Sequence, residues 1–400
     1  MRSILYIDVE GGRGGSSRSL RVMSGNLDSR RFRPVIALRE HGSSEEFYKS
    51  KNVSHFVFPE MPAFRPSERK NILSFLIFLK DVAVFSRKYS KFLNIVRREN
   101  VSMVHVNHEG MALFGRWLAG RLNVPWICHL RCIYPENPWS RWLYGVIDQA
   151  DARIFISENE QEHFEKMIGK RADCKNNIVI NNIAPEECFE NRPLAHDGVA
   201  GEFLRVASLT NFDYGRGVDR ILDVARILKS MGRKDIRFYI YGKDSRVSGW
   251  SMSFEEFLRQ EIEEYELEEF VNLREHSSEP EKILAQSDVL VRLRRQNNPW
   301  GRDVIEAMAS GLPVVSIGNY EGFIESGRGG FIEREFDPKS VADIFVKLRE
   351  DVRLCGEMGI FNQRKAARMF RGSVNIVMIE RLYKDIIEEK NVGYFVKEQQ

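Results

Sequence analysis

The stretch that most constrains the fold runs from Val289 to Ile332. A short, mainly apolar run at 289–293 predicts a strand, a turn follows at 297–301, and apolar residues then recur at helical spacing. Gly311 ends that helix, and a second strand is predicted at Val314–Ile317. The strand therefore delivers its loop to the N-terminus of a helix, where free N–H groups and the helix dipole favour an anionic ligand.

Two polar residues flank this helix start. Asn298 and Glu306 lie eight positions apart in the sequence, which is about two helical turns. Both side chains can face one ligand if Asn298 lies just before the helix. This spacing suits a ligand with an anionic part and several hydroxyl groups, such as a sugar nucleotide.

The rest of the chain alternates predicted strands and helices in two series. The predicted strands are Ile4–Val9, Pro34–Leu38, His55–Phe58, Met103–Val106, Trp126–His129, Arg153–Ile156 and Ile178–Ile180, then Arg205–Ser208, Phe238–Tyr241, Val271–Leu273, Val289–Leu293 and Val314–Ile317. Such alternation is typical of α/β folds with doubly wound parallel sheets, whose ligands lie at the carboxyl ends of the strands. The polar segment Asn191–Gly201 separates the series and is the predicted linker.

The segment NPWGRDVIEAMASGLPVV resembles the nucleotide-sugar motif of the GT-B glycosyltransferases of family 4, in which two glutamates are spaced E-x7-E. Asn298 stands at the first acidic position and Glu306 at the second, so this chain carries the variant N-x7-E. The resemblance implies the GT-B fold, with two Rossmann-like domains facing across a cleft. It predicts domains at 1–192 and 202–372, and a final helix at 373–400 that crosses back to the first domain.

The resemblance also implies roles for individual residues. Glu306 would bind the ribose, Asn298 would orient the donor sugar, and Arg216 would bind the donor diphosphate. His129, after an apolar strand, would lie beside the sugar, although a structural histidine is the simpler interpretation of such a residue. The other expected donor-binding residues are Gly14, Gly15, Ser208, Pro299, Trp300 and Gly301.

One charge expected from the family is missing. Ser208 stands where the family has an arginine that binds the diphosphate, and Arg302 is a candidate replacement, although a solvated arginine is equally plausible. Trp300 is open to a second interpretation as a core residue, the usual fate of tryptophan.

Composition narrows the other possibilities. The formal net charge of +3 gives no argument for nucleic-acid binding. No Asp-x-Asp motif occurs, so we expect neither a metal nor another cofactor, with positive side chains and helix dipoles stabilising the leaving diphosphate. Five cysteines without a C-x-x-C pair predict free thiols, and the N-terminus lacks a secretory signal, which together predict a cytoplasmic protein.

A basic segment at 65–98 mixes cationic and large apolar residues. Its apolar run is shorter than the roughly 20 residues that span a membrane. Two interpretations stay open: a surface that rests on anionic lipids at the inner face of the membrane, or an internal helix pair with a solvated basic rim.

The leading hypothesis is a retaining glycosyltransferase. It would move a sugar from a UDP- or GDP-sugar to a hydroxyl of a glycan or lipid-linked glycan in the synthesis of cell-surface polysaccharide or glycoconjugate. The alternative is a non-catalytic GT-B subunit that binds a partner glycosyltransferase or a glycan, which the changes at Asn298 and Ser208 motivate. A sugar-nucleotide epimerase of the same architecture is a third hypothesis.

Overall fold

The computed structural model describes residues 1–12, 14–66, 71–169, 176–190, 202–244, 252–296 and 298–397, with side chains described up to 388. The chain separates into two compact units. Unit 1 comprises Met1–Ile183 and Gly372–Gln400, and unit 2 comprises Ala184–Arg371.

Unit 1 is built on a parallel sheet of seven strands in the order β3-β2-β1-β4-β5-β6-β7. The strands are β1 Arg2–Asp8, β2 Phe32–Leu38, β3 Ser54–Val57, β4 Val101–Val106, β5 Trp126–His129, β6 Ala152–Phe155 and β7 Asn177–Val179. The helices between them are α1 Gly15–Gly25, α2 Ser43–Ser50, α3 Asn71–Ser86, α4 Tyr89–Arg98, α5 Ala112–Leu122, α6 Pro138–Ile147 and α7 Glu158–Ile168. The central strands are buried on both faces because helices cover the sheet on each side.

Unit 2 has a parallel sheet of six strands in the order β10-β9-β8-β11-β12-β13. The strands are β8 Leu204–Leu209, β9 Ile236–Gly242, β10 Val271–Glu275, β11 Val289–Arg292, β12 Val314–Ile317 and β13 Gly330–Glu333. The helices are α8 Glu187–Glu190, α9 Val218–Ser230, α10 Phe254–Glu264, α11 Pro280–Ala285, α12 Arg302–Ala309, α13 Pro338–Glu350 and α14 Val352–Met369.

The last helix, α15 Gly372–Lys397, belongs to unit 1. Its apolar side chains Ile379, Tyr383 and Ile387 pack with Ile4 and Tyr6 of β1 in one buried cluster. The end of the chain is therefore part of the first core.

The boundary between the units precedes the predicted one at residue 192. Unit 2 already begins at Ala184, because the short helix α8 packs against α11 and α12. The predicted linker, Asn191–Gly201, lies outside the described residues.

The predicted α/β fold class, with two parallel sheets, is confirmed. Each of the twelve predicted strands corresponds to an observed one, whereas β13 was not predicted. The described cysteines Cys128, Cys132, Cys188 and Cys355 are thiols, and Cys174 lies outside the described residues. Within the described part of the chain, helices that combine the length and apolar character needed to cross a membrane are absent.

Candidate functional site

In unit 2, the predicted residues gather where β8 and β11 end. These strands are neighbours, with Val206 opposite Val289 and Ala207 opposite Leu290. Because both run in the same direction, their following loops leave the same carboxyl edge of the sheet. Ser208, close to the end of β8, is buried.

The loop after β8 is held against the loop after β11 by a close backbone contact and by hydrogen bonds. Gly217 has a φ of +70°, and a Cβ at this position would lie 1.9 Å from the carbonyl oxygen of Leu293. Arg220 donates to the carbonyl oxygens of Leu293 and Arg294, at 3.3 and 3.1 Å. The Arg295 N–H donates to the carbonyl oxygen of Gly215 at 3.2 Å. These bonds hold the short 3-10 turn Tyr214–Arg216, and with it the predicted diphosphate ligand Arg216, against the end of β11.

The turn Asn298–Gly301 is held by a hydrogen bond within it and by a contact from β12. The side-chain oxygen of Asn298 accepts the Trp300 N–H at 3.2 Å. The Ser316 hydroxyl on β12 contacts the carbonyl oxygen of Pro299 at 3.1 Å. Trp300 is 5% exposed and packs edge-on against Phe323. The Trp300 ring thus belongs to the core, and the backbone N–H of Trp300 is hydrogen-bonded within the turn.

Gly301 precedes α12 and lies directly against an ion pair. Arg292, the last residue of β11, pairs with Asp303 in the first turn of the helix. A Cβ on Gly301 would lie 2.8 Å from Nη1 of Arg292 and 2.5 Å from Oδ1 of Asp303. A larger residue at this position would therefore displace the side chains of this ion pair.

Glu306 is buried and already paired. Arg302 donates to its Oε1 from Nη2 at 2.8 Å and from Nε at 3.1 Å. The Arg302 side chain is 9% exposed and that of Glu306 is 1% exposed. The proposed ribose ligand and the candidate replacement cation thus bind each other across one turn of α12.

In unit 1, the carboxylate of Glu10 lies against the N-terminus of α1. Gly14 is the N-cap residue, and a Cβ on it would lie 1.6 Å from Oε2 of Glu10. The Ser16 hydroxyl donates to the same oxygen at 2.8 Å. The Glu10 carboxylate therefore lies directly beside Gly14, the first of the two glycines, Gly14 and Gly15, that are predicted to bind the donor.

His129 ends β5 and is 3% exposed. Neither ring nitrogen has a hydrogen-bond partner among the described residues. Burial, then the nearby charges of Arg131 and His105, lower the pKa of His129 well below 6.5, so the ring is neutral at physiological pH. A buried polar group without a partner is costly, and such groups are found at functional sites.

The surroundings of His129 reach the last helix of the chain. The rings of His129 and His105 are 5.5 Å apart. His105 Nδ1 lies 2.6 Å from the hydroxyl of Tyr383 on α15, which lies 2.9 Å from the hydroxyl of Tyr6. Sequence reasoning did not identify Tyr383 or this network, because no local pattern connects residues 278 positions apart.

One group of potential metal-ligating side chains occurs within the described ranges: His108, Glu109 and Cys132. Glu109 accepts the N–H groups of Arg131 and Cys132 at 3.0 and 3.1 Å, and the Cys132 thiol at 2.6 Å. His108 Nδ1 accepts the Gly110 N–H at 3.1 Å. These contacts already use the ligand atoms to fix the loop after β5, so the group gives no argument for a metal.

A buried acid nearby leads to a pH prediction. Glu160 is 1% exposed and its Oε2 accepts the Ile156 N–H at 2.9 Å. Burial, then the charge of Glu109, raise the pKa of Glu160 to about 8. Because the folded state holds this proton more tightly, the stabilisation is present below about pH 4.5 and is lost as the pH rises through 8.

Glu160→Gln keeps a side-chain oxygen for the Ile156 N–H and cannot ionise. Relative to this variant, we expect the unfolding free energy of the wild type to fall by about 1.4 kcal/mol per pH unit between pH 5 and 8. Urea unfolding at several pH values measures the difference. Glu158→Gln, an exposed change on the same helix, is the control. Equal pH dependence in both variants would contradict the prediction.

Two family profiles match the chain. The profile described as "Glycosyltransferase Family 4" matches residues 13–182, and "Glycosyl transferases group 1" matches residues 198–364. Among curated protein sequences, none is significantly similar to this chain.

Several solved structures share the fold at low sequence identity. Anabaena Alr3699/HepE, crystallised with UDP and glucose, superposes with a TM-score of 0.73 at 18% identity over 97% of this chain and 100% of its own. A glycosyltransferase from Rickettsia africae superposes with a TM-score of 0.74 at 16% identity, over 96% of this chain and 98% of its own. The sucrose-phosphate synthase from Thermosynechococcus elongatus superposes with a TM-score of 0.70 at 15% identity, over 97% of this chain and 100% of its own.

Proposed function

This chain belongs to the GT-B glycosyltransferases of family 4 and uses a nucleotide sugar, and from that premise we propose a retaining enzyme of glycan synthesis. Its donor is a UDP- or GDP-sugar, and its acceptor is a hydroxyl of a glycan or lipid-linked glycan in cell-surface polysaccharide or glycoconjugate synthesis. HepE was crystallised with UDP and with UDP-glucose, which makes UDP-sugars the first donors to test.

One observation carries the proposal: a single edge of the second sheet collects the residues that a sugar nucleotide requires. Arg216 follows β8, and the turn 298–301 and Glu306 follow β11. A cation, an amide and a carboxylate suit a diphosphate, a sugar and a ribose respectively.

The proposed reaction exchanges one bond at the anomeric carbon for another. The bond from that carbon to the diphosphate oxygen breaks as the acceptor hydroxyl attacks from the same face, and the departing diphosphate takes the hydroxyl proton. Arg216 and the helix N-termini stabilise the charge on the diphosphate, without a metal. Glu306 fixes the ribose, Asn298 orients the sugar, and the neutral His129 donates or accepts a hydrogen bond at the sugar.

Donor turnover tests this function. Purified protein is incubated with UDP-, GDP- and ADP-sugars, with and without lipid vesicles, in the presence of EDTA. We expect release of one nucleoside diphosphate, faster with a suitable acceptor and insensitive to EDTA. No release from any donor under any condition would contradict the proposal.

The second candidate function, a non-catalytic subunit, is favoured by a specific observation. The carboxylate of Glu10 lies at the N-terminus of α1, and Arg302 already binds Glu306. When a donor binds, Glu10 would have to leave the N-terminus of α1 or share it with the donor. Glu306 would likewise have to separate from Arg302 or bind Arg302 and the donor together. Absence of donor turnover together with stable binding of a glycan or partner enzyme would establish this function instead.

We also propose that helix α3 rests on an anionic membrane surface, as a peripheral contact of a cytoplasmic enzyme. Six large apolar side chains of this helix are between 39% and 71% exposed: Ile72, Leu73, Leu76, Ile77, Leu79 and Val82. The exposed cations of the predicted basic segment, 65–98, include Lys80, Arg87 and Lys91. The one acid within the helix, Asp81, turns inward and pairs with Arg39 at 2.8 Å. An apolar face with basic neighbours and no outward acid suits an anionic bilayer.

The double variant Leu73→Ser/Leu76→Ser tests this surface. Each leucine removed from the lipid interface loses roughly 1.5–3 kcal/mol if fully buried there, so we expect at least a tenfold weaker partition. Co-sedimentation with phosphatidylglycerol-containing vesicles at low and high salt is the measurement. Met231→Ser/Val377→Ser, which removes exposed apolar side chains elsewhere, is the control. Equal partition of wild type and the α3 variant would remove the proposed surface.

A further inference from the structure

Arg294 differs from the other arginines at the end of β11. Arg292 pairs with Asp303, and Arg295 donates to Asp219 at 2.8 Å. The Arg294 side chain, in contrast, has no hydrogen bond or ion pair with the residues that the structure describes, and its Nε is wholly buried. A guanidinium carries five N–H donors and no acceptor, so its natural partner is an anion.

The electrostatic surroundings disfavour the charged form of Arg294 when no counter-ion is bound. Burial, then the charges of Arg292 and Arg216, lower the pKa of Arg294 to about 9, and Asp303 and Asp213 offset the effect only in part. Arg294 is still a cation at neutral pH. A partly buried charge that is crowded by like charges lowers stability unless an opposite charge binds beside it.

The backbone places Arg294 at the carboxyl edge of the second sheet, beside the turn that carries the proposed diphosphate ligand Arg216. Arg294 lies two residues beyond the end of β11, and its carbonyl oxygen is held by Arg220 at 3.1 Å. The close approach of Gly217 to the carbonyl oxygen of Leu293 places the turn that carries Arg216 at the same edge of the sheet. The end of β8, at Ser208, contributes no charge there.

We propose that Arg294, together with Arg216, binds the diphosphate of the donor and supplies the charge that the end of β8 lacks. The planar guanidinium binds two phosphate oxygens at once, which suits a diphosphate. This inference rests on the proposed function for the identity of the ligand, whereas the anion site itself rests on the arrangement of the arginines.

The test compares wild type with Arg294→Gln by calorimetric titration and thermal unfolding. The probes are UDP, GDP, ADP, inorganic pyrophosphate, and the nucleoside of whichever diphosphate binds. We expect the variant to bind the diphosphate and pyrophosphate roughly 10- to 100-fold more weakly and the nucleoside equally well. Its Tm should stay equal or rise, because an unpaired charge has been removed. Arg259→Gln, an exposed arginine paired with Glu255, is the control and should change no affinity.

The outcomes separate this inference from the proposed function. Equal diphosphate and pyrophosphate binding by wild type and Arg294→Gln overturns the inference and leaves the glycosyltransferase standing. Pyrophosphate binding that is lost in the variant, without any nucleoside diphosphate binding or donor turnover by wild type, supports the anion site and overturns the proposed function. A lower Tm with loss of nucleoside affinity shows a structural role for Arg294 and overturns the inference.

Discussion

Glu306→Ala is expected to lower the free energy of unfolding by about 3–5 kcal/mol, because it leaves the buried Arg302 guanidinium without its carboxylate. The side chains are 9% and 1% exposed, so little water is available to replace the lost bonds. The same change should weaken donor binding by removing the acceptor proposed for the ribose hydroxyls. Urea unfolding and titration with UDP measure the two effects separately.

The two roles of Glu306 are separated by a double variant and a modified ligand. Arg302→Met/Glu306→Met replaces the pair by apolar side chains, and we expect it to recover much of the lost stability. It should not recover affinity for UDP. Wild type should prefer UDP over 2′,3′-dideoxy-UDP, whereas variants without Glu306 should bind both ligands equally. A variant that keeps the preference would show that Glu306 is only the structural partner of Arg302.

The fold could be predicted from the sequence because its strands are buried on both faces. Continuous apolar runs such as those of β1 and β12 have few alternative structures in a chain of this size. Strand β13 was missed for a physical reason. It is four residues long, only its first residue is fully buried, and Gly330 at its start has a φ of +151°, so the sequence resembles a turn.

The candidate site could be predicted in part. The family resemblance assigns Arg216, Asn298 and Glu306 to one ligand, and the pairing of β8 with β11 places the loops that follow these strands at one edge of the sheet. The pairing of Arg302 with Glu306 could have been inferred too, since residues four apart on a helix are neighbours.

Contacts that depend on tertiary packing could not be predicted. The approach of Glu10 to Gly14 depends on how a glycine-rich turn folds back. The isolation of Arg294 depends on which acids its neighbours have already engaged.

His129→Ala is expected to lower kcat for sugar transfer by roughly 10²–10³, the usual loss when one hydrogen-bonding group is removed from a transition state. The reason is that His129 is buried with both ring nitrogens unpartnered among the described residues, so a bound sugar would be its hydrogen-bond partner. UDP affinity should stay unchanged, because His129 is proposed to contact the sugar and not the nucleotide. His55→Ala on β3, separated from β5 by three strands of the same sheet, is the control.

The protonation state of His129 gives this prediction a second readout. Because burial lowers its pKa well below 6.5, the ring is neutral from pH 6 to 8, and its contribution to kcat should not change over that range. The ratio of wild-type to His129→Ala kcat should therefore be constant between pH 6 and 8. A ratio that rises or falls through pH 6.5 would show that the ring titrates during transfer and acts as an acid or base. A ratio near one at every pH would show that His129 is a structural residue of the strand end.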